Sequence, residues 1–223
     1  VAHMRHLLRA GAPVITLDDA RLPESYLTNK RRYLDPLNFA TNFAFFRDAG
    51  GLHTRVVTAN YWAGYGAGEV SLWCCLFGEA GTTLAEWRET LTPGVSGVVI
   101  DSREVRRRFK LGDFTGQLFI HAIGAAGHDV VKYALDVFGD RPHELSCTHD
   151  ANAWPADFYA GLPAPKPDEK VVLWVQNSHP CAIPANAVGF NVMGKNDTVL
   201  LDRPVPPFGS CAVDVGAMLP QGG

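Results

Sequence analysis

The sequence predicts an all-β protein, with two tandem β-sandwich units of related layout behind an N-terminal extension. Glycine and proline are both plentiful, at 22 and 15 residues, which favours many short elements joined by turns over long helices. Runs rich in β-branched and aromatic residues recur along the chain between turn-forming residues, as in β-proteins. The order of runs and turns in the first half recurs in outline in the second half, which indicates a duplicated unit.

The first unit is predicted to span residues 38–140, behind an extension at 1–37. Residues 83–91 alternate apolar and polar side chains, as a half-buried strand does. Residues 102–109 favour a short helical turn, and 128–135 fit either a strand or a helix, with Val130 and Val131 favouring a strand. The remaining strands are predicted at 42–47, 54–62, 69–77, 96–101 and 117–123.

The second, shorter unit is predicted to span residues 141–223. Its strands are expected at 171–177, 187–194, 198–202 and 211–215. Asn177 follows Asn60 by 117 residues and Pro207 follows Pro93 by 114, so the two halves run at nearly the same offset. The alternative is a chance agreement between two generic strand-and-turn patterns.

The composition limits the class of protein. A hydrophobic fraction of 47% with 19% charged residues is typical of a globular protein with a sizeable core. The net charge of −3 indicates neither an acidic nor a basic partner, so no nucleic-acid ligand is expected. No apolar run reaches the length of about 18 residues that a membrane-spanning helix needs. Five cysteines without Cys-x-x-Cys spacing, and an N-terminus without a secretory pattern, favour reduced thiols in a cytoplasmic protein.

Several features resemble a known family. They are a strand that enters a Gly/Glu turn at 77–81, an amphipathic strand ending Leu91-Thr92-Pro93, a hydrophobic strand at 118–123 and a final strand from Val130 to Asp136. This layout covers residues 56–138, recurs in part at 171–215 and resembles the small β-sandwich of the sensory-rhodopsin-transducer-like proteins. The resemblance implies a compact sandwich used for association, similar in shape to carbohydrate-binding modules, and it carries no functional residues over.

A polar and aromatic stretch at 147–180 is the predicted functional region. Aromatic rings stack on sugar C–H groups while Asn and Asp bond to hydroxyls, so this composition is typical of a saccharide site. The alternative is that Trp154 anchors an interdomain loop to the core. A second aromatic set, at residues 60–65, adjoins a Gly-rich loop. The predicted ligand-binding residues are Asn152, Trp154, Asp157, Tyr159, Asn177 and His179.

The same stretch offers a candidate metal site. His149, Asp150 and His179, with His128 as a further member, supply the two or three His and one carboxylate that zinc or iron sites use. The alternative is that Asp150 makes local turn hydrogen bonds while His149 bonds to backbone.

A run of basic residues at 103–110 could contact phosphate or an acidic partner, although such a run is more often a solvated face. No Gly-x-Ser-x-Gly motif indicates a nucleophile. The sequence therefore predicts a non-catalytic binding or assembly module for a saccharide or a protein partner, without a cofactor. Exposed sandwich edges also predict a homo-oligomer. The alternative is a metal-dependent hydrolase or oxygenase, in which metal-bound water is the nucleophile.

Overall fold

The computed structural model describes residues 40–94, 96–127, 130–141, 143–150, 165–191 and 197–218. The predicted N-terminal extension therefore lies outside the described residues. Within the described ranges, no helix combines the length and the apolar character that crossing a membrane requires. The strands are β1 (Ala40–Ala49), β2 (Leu52–Ala59), β3 (Ser71–Gly78), β4 (Thr83–Thr90), β5 (Gly97–Asp101), β6 (Phe114–Ile123), β7 (Tyr133–Phe138), β8 (Leu145–Asp150), β9 (Val172–Gln176), β10 (Gly189–Asn191), β11 (Thr198–Leu200) and β12 (Ser210–Asp214). A 3-10 helix covers Tyr61–Tyr65, and the α-helices are α1 (Ser102–Phe109) and α2 (Val215–Met218).

Strands β1 to β8 form one antiparallel hydrogen-bonded sheet that folds into two layers. Its order is β4-β3-β6-β1-β2-β7-β8, and β5 pairs with β2 on the edge opposite β7. β1 pairs with β6 over nine residues but with β2 only at the hairpin, through Asp48–His53 and Ala49–Leu52. The hairpin therefore joins a first layer (β4-β3-β6-β1) to a second layer (β5-β2-β7-β8).

One buried cluster fills the space between the two layers. Along β1 every second residue is buried, which is the alternation expected of a strand with one face on a core. Phe46 and Leu118 of the first layer and Val56 and Leu135 of the second all belong to this cluster. The predicted all-β class is therefore confirmed, and the described residues of β1 to β7 enclose one buried cluster between two layers, an arrangement consistent with a β-sandwich.

The structure confirms the helix predicted at 102–109 but ends the strand predicted at 54–62 early. The predicted helical turn is confirmed as α1, whose N-cap Asp101 accepts a hydrogen bond from the Arg103 backbone N–H. The strand predicted at 54–62 is too long: β2 ends at Ala59, and Tyr61–Tyr65 form the 3-10 helix instead. This helix turns Trp62 into the core, where it is fully buried.

The described part of the second half is smaller than a sandwich. β9 pairs with β12 and β10 pairs with β11, and a separate small cluster that includes Leu201, Val205 and Val213 lies between them. β8, which the sequence placed after the boundary at residue 140, pairs with β7 of the sandwich. The tandem arrangement is therefore not confirmed, and the domain limits stay a prediction.

The C-terminal strands dock on the outer face of the first layer. The Ser210 backbone N–H donates to the Glu79 carbonyl at 3.0 Å, and the Gln176 side chain donates to the Gly116 carbonyl at 3.1 Å. Phe208 stacks on Phe77 with ring centroids 4.9 Å apart. The docked segment covers part of that outer face and leaves the rest of it exposed to solvent.

Candidate functional site

Most of the predicted saccharide site falls outside the described residues. Asn152, Trp154, Asp157 and Tyr159 lie there, as do His128 and the side chain of Asp150. The structure describes Asn177, His179 and His149.

Asn177 organises a buried turn. It is 1% exposed, and its Nδ2 donates to the carbonyls of Cys181 at 2.8 Å, Pro206 at 3.0 Å and Val205 at 3.3 Å. Its Oδ1 accepts from the His179 backbone N–H at 3.0 Å. The hydrogen-bonding capacity of this side chain is thus taken up within the protein, which leaves little for a ligand.

The two described histidines of the predicted metal site lie on separate elements. His149 is exposed on β8, opposite Ala134. His179 is exposed in the loop after β9, where its carbonyl accepts from the Phe208 backbone N–H. Among the described residues, no three His, Cys, Asp or Glu side chains are grouped so that they could hold a metal ion. The metal site therefore stays a prediction.

The second aromatic set is structural in part. Trp62 is fully buried, and Asn60 is 1% exposed and donates to the Thr92 carbonyl at 3.1 Å. The Tyr61 hydroxyl donates to the Val130 carbonyl at 2.6 Å. Burial raises the pKa of Tyr61 despite its hydrogen bond with Lys132, so the hydroxyl stays protonated as a donor.

The basic run on α1 is largely neutralised by carboxylates. Arg106 reaches Asp113 at 2.6 Å and Asp48 at 3.4 Å, and Arg108 pairs with Glu89 of β4. Asp48 also meets His53 at 2.9 Å. The Arg106–Asp48 pair joins α1 to the β1–β2 hairpin, and the Arg108–Glu89 pair joins it to β4, so these arginines hold the helix on the sandwich.

An aromatic surface that the sequence did not reveal lies on the outer face of the first layer. Side chains directly opposite one another in a sheet share a face, and Trp73 is opposite His121 on β6, while Phe119 is opposite Phe43 on β1. Trp73 packs edge-on against Phe119 with centroids 5.4 Å apart, and Phe119 packs edge-on against Phe43 at 5.2 Å. We call Trp73, Phe119 and His121 the aromatic face; each is partly exposed.

The C-terminal segment covers the neighbouring half of this layer. Phe208 stacks over Phe77 and Phe43, and Trp174 contacts Phe45 with centroids 5.7 Å apart. The aromatic face lies beyond this cover, toward the other end of β3 and β6. Docking of the C-terminal segment thus sets one boundary of the aromatic face.

Polar groups border the aromatic face. The Trp73 Nε1–H donates to Glu86 Oε1 at 2.9 Å, which fixes the indole toward β4. Arg88 is opposite Trp73 on β4 and is exposed. His121 Nδ1 is hydrogen-bonded to the Thr41 hydroxyl at 2.9 Å, and burial lowers the pKa of His121, so its ring is neutral at physiological pH.

The cysteines near this face are poor nucleophiles. Burial, with a smaller effect of Glu89, raises the pKa of Cys74 to about 12. Burial also raises the pKa of Cys75, which lies beside Phe119 in the sheet. Both thiols are therefore protonated at neutral pH, and the aromatic face offers stacking and hydrogen bonding rather than a nucleophile.

No family model, curated protein or solved structure matches the chain. The resemblance to the sensory-rhodopsin-transducer-like proteins stays a prediction.

Proposed function

We propose that the protein is a non-catalytic binding module that recognises a saccharide through the aromatic face. The observation that carries the proposal is the packing of Trp73, Phe119 and His121 on one outer sheet surface. Aromatic rings held by a rigid sheet present stacking surface at little cost in conformational entropy.

The polar border supports a saccharide over a purely apolar ligand. The exposed carboxylate of Glu86 and the exposed guanidinium of Arg88 lie on the strand next to Trp73. A sugar ring has apolar C–H faces and hydroxyl edges, so stacking on the indole brings its hydroxyls toward these charged groups. Hydrogen bonds to charged groups are about twice as strong as those between neutral groups.

A reducing, cytoplasmic location fits the same proposal. All five cysteines are free thiols, and Cys147 and Cys181 are exposed. Exposed free thiols are typical of proteins in compartments that keep cysteine reduced.

The test is a glycan-array screen with the full chain, followed by calorimetric titration of the saccharide that binds best. Trp73→Leu removes the stacking ring and the Nε1–H, and we expect it to weaken binding about tenfold or more. Trp73→Phe keeps a ring and is expected to retain part of the affinity.

The matched control is Tyr65→Leu, which removes an aromatic side chain that is 45% exposed and lies outside the aromatic face. It should bind as the wild type does. The proposal fails if no saccharide binds, or if Trp73→Leu binds as tightly as the wild type.

A further inference from the structure

We propose that β8 is a dimerisation edge, at which β8 of a second copy of this chain adds in antiparallel register with Cys147 on the two-fold axis. The first observation is position. β8 ends the second layer and pairs only with β7 among the described strands. Every side chain from Leu145 to His149 is exposed, and Leu145 is 62% exposed.

The second observation is that the middle of β8 has little edge protection. Natural sheets block unwanted pairing at their edges with charged residues, proline or bulges. β4, the edge strand of the first layer, carries the exposed charges of Glu86 and Arg88. Residues 145–149, Leu-Ser-Cys-Thr-His, include no proline and no Asp, Glu, Lys or Arg, and Asp150 at the end of β8 is the one acidic residue of the strand.

The hydrogen-bond pattern shows which backbone groups point outward. The Gly139 N–H donates to the Glu144 carbonyl directly opposite, in the same register as the β7–β8 ladder. Hydrogen-bonded pairs alternate along an antiparallel ladder, so Ser146 and Thr148 direct their N–H and C=O groups toward β7. The backbone groups of 145, 147 and 149 therefore face the open edge.

These outward groups fit a second copy of themselves. When two copies of β8 pair antiparallel across a two-fold axis, residues whose backbone groups face outward must lie opposite one another. The register that pairs residues 145–149 with the same five residues of the second copy places Cys147 opposite Cys147. Leu145 then lies opposite His149 of the second copy. On the other face, Ser146 lies opposite Thr148, which is a favourable cross-strand combination. Glu144 takes the position opposite Asp150 at each end, an acidic pair that weakens the dimer.

The pairing involves five residues from each copy, which is small for a protein interface, so the dimer should be weak and its population should depend on concentration. Sedimentation velocity of the full chain at rising concentration tests this. We expect a reversible shift from monomer to dimer.

Charge substitutions across the axis give the discriminating variants. Leu145→Lys with His149→Lys places lysine opposite lysine, and we expect the dimer to be lost. Leu145→Lys with His149→Glu places lysine opposite glutamate and should restore it. Leu145 and His149 are both exposed in the monomer, so the two variants are matched for folding.

The register is tested by cross-linking with a short bis-methanethiosulfonate reagent in a Cys181→Ser background. Cys147 should link to itself, whereas a cysteine moved one residue along, by Cys147→Ser with Thr148→Cys, should link much less. A monomer at every concentration, a dimer that survives the double-lysine variant, or a dimer without the Cys147 cross-link would each overturn the proposal.

Discussion

Replacing Asn177 by alanine should destabilise the C-terminal segment, because its side chain joins the turn after β9 to the loop before β12. Its two Nδ2 protons serve three backbone carbonyls, and its Oδ1 accepts from the His179 backbone N–H. The variant thus loses the equivalent of three hydrogen bonds at a position that is 1% exposed. At about 1 kcal/mol for each bond, we expect Asn177→Ala to lower the free energy of unfolding by about 3 kcal/mol.

Urea denaturation followed by tryptophan fluorescence is the appropriate assay, because Trp174 lies against Phe45 at the docking interface and reports its separation. Asn191→Ala, at an exposed position of β10, is the matched control and should change stability by less than about 0.5 kcal/mol. Asn177→Asp should be worse than alanine, since it points a carboxylate oxygen at three carbonyl oxygens.

A different result would refute the structural role of Asn177. If Asn177→Ala unfolds at the same urea concentration as the control but no longer binds ligand, the residue serves the ligand, as the sequence predicted, and not the turn.

Two further predictions concern the docking surface and the acid response. Gly81→Ala should lower the melting temperature measured by calorimetry. Gly81 has a φ of +77°, and an added Cβ would lie 1.9 Å from the Pro207 carbonyl oxygen. An unchanged melting temperature would show that this contact is not formed. Burial alone would raise the pKa of Asp101, but the hydrogen bonds from Arg103 and the charge of Arg55 outweigh it, so the pKa is lowered. A lowered carboxyl pKa stabilises the folded state at neutral pH, and this stability is lost as the pH falls through the acid range. Asparagine is also a good N-cap residue, so Asp101→Asn should keep the helix cap. We expect the urea midpoint of this variant to fall less steeply than that of the wild type as the pH is lowered. An equal slope would contradict the assignment.

The sequence predicts elements whose signal is local. The alternation at 83–91 predicted β4, and the segment at 102–109 predicted α1, because a period of two or a short run of helix-forming residues can be seen within a few residues. The end of β2 was placed too late, since Tyr61 and Trp62 have strand propensity. Contacts with Val130 and the core hold them in a 3-10 helix instead.

The aromatic face could not be predicted because it depends on pairing between distant segments. Alternation in 69–77 and 117–123 places Trp73 and Phe119 on the faces opposite the buried residues of their strands. Only the register of β3 with β6 shows that the two faces are one surface. The four strands predicted in the second half correspond to β9, β10, β11 and β12. The tandem arrangement is not confirmed, since a strand-and-turn pattern does not specify which sheet a strand joins.

The most direct test of the binding role is a two-dimensional ¹⁵N–¹H NMR titration of the five tryptophan indole N–H groups with the saccharide identified on the array. The Trp73 indole donates to Glu86 at the border of the aromatic face, whereas Trp62 is buried in the core and Trp174 lies at the docking interface. We expect the Trp73 signal to shift in proportion to saturation while those of Trp62 and Trp174 stay in place. A saccharide that shifts another indole and leaves Trp73 unmoved would contradict the account.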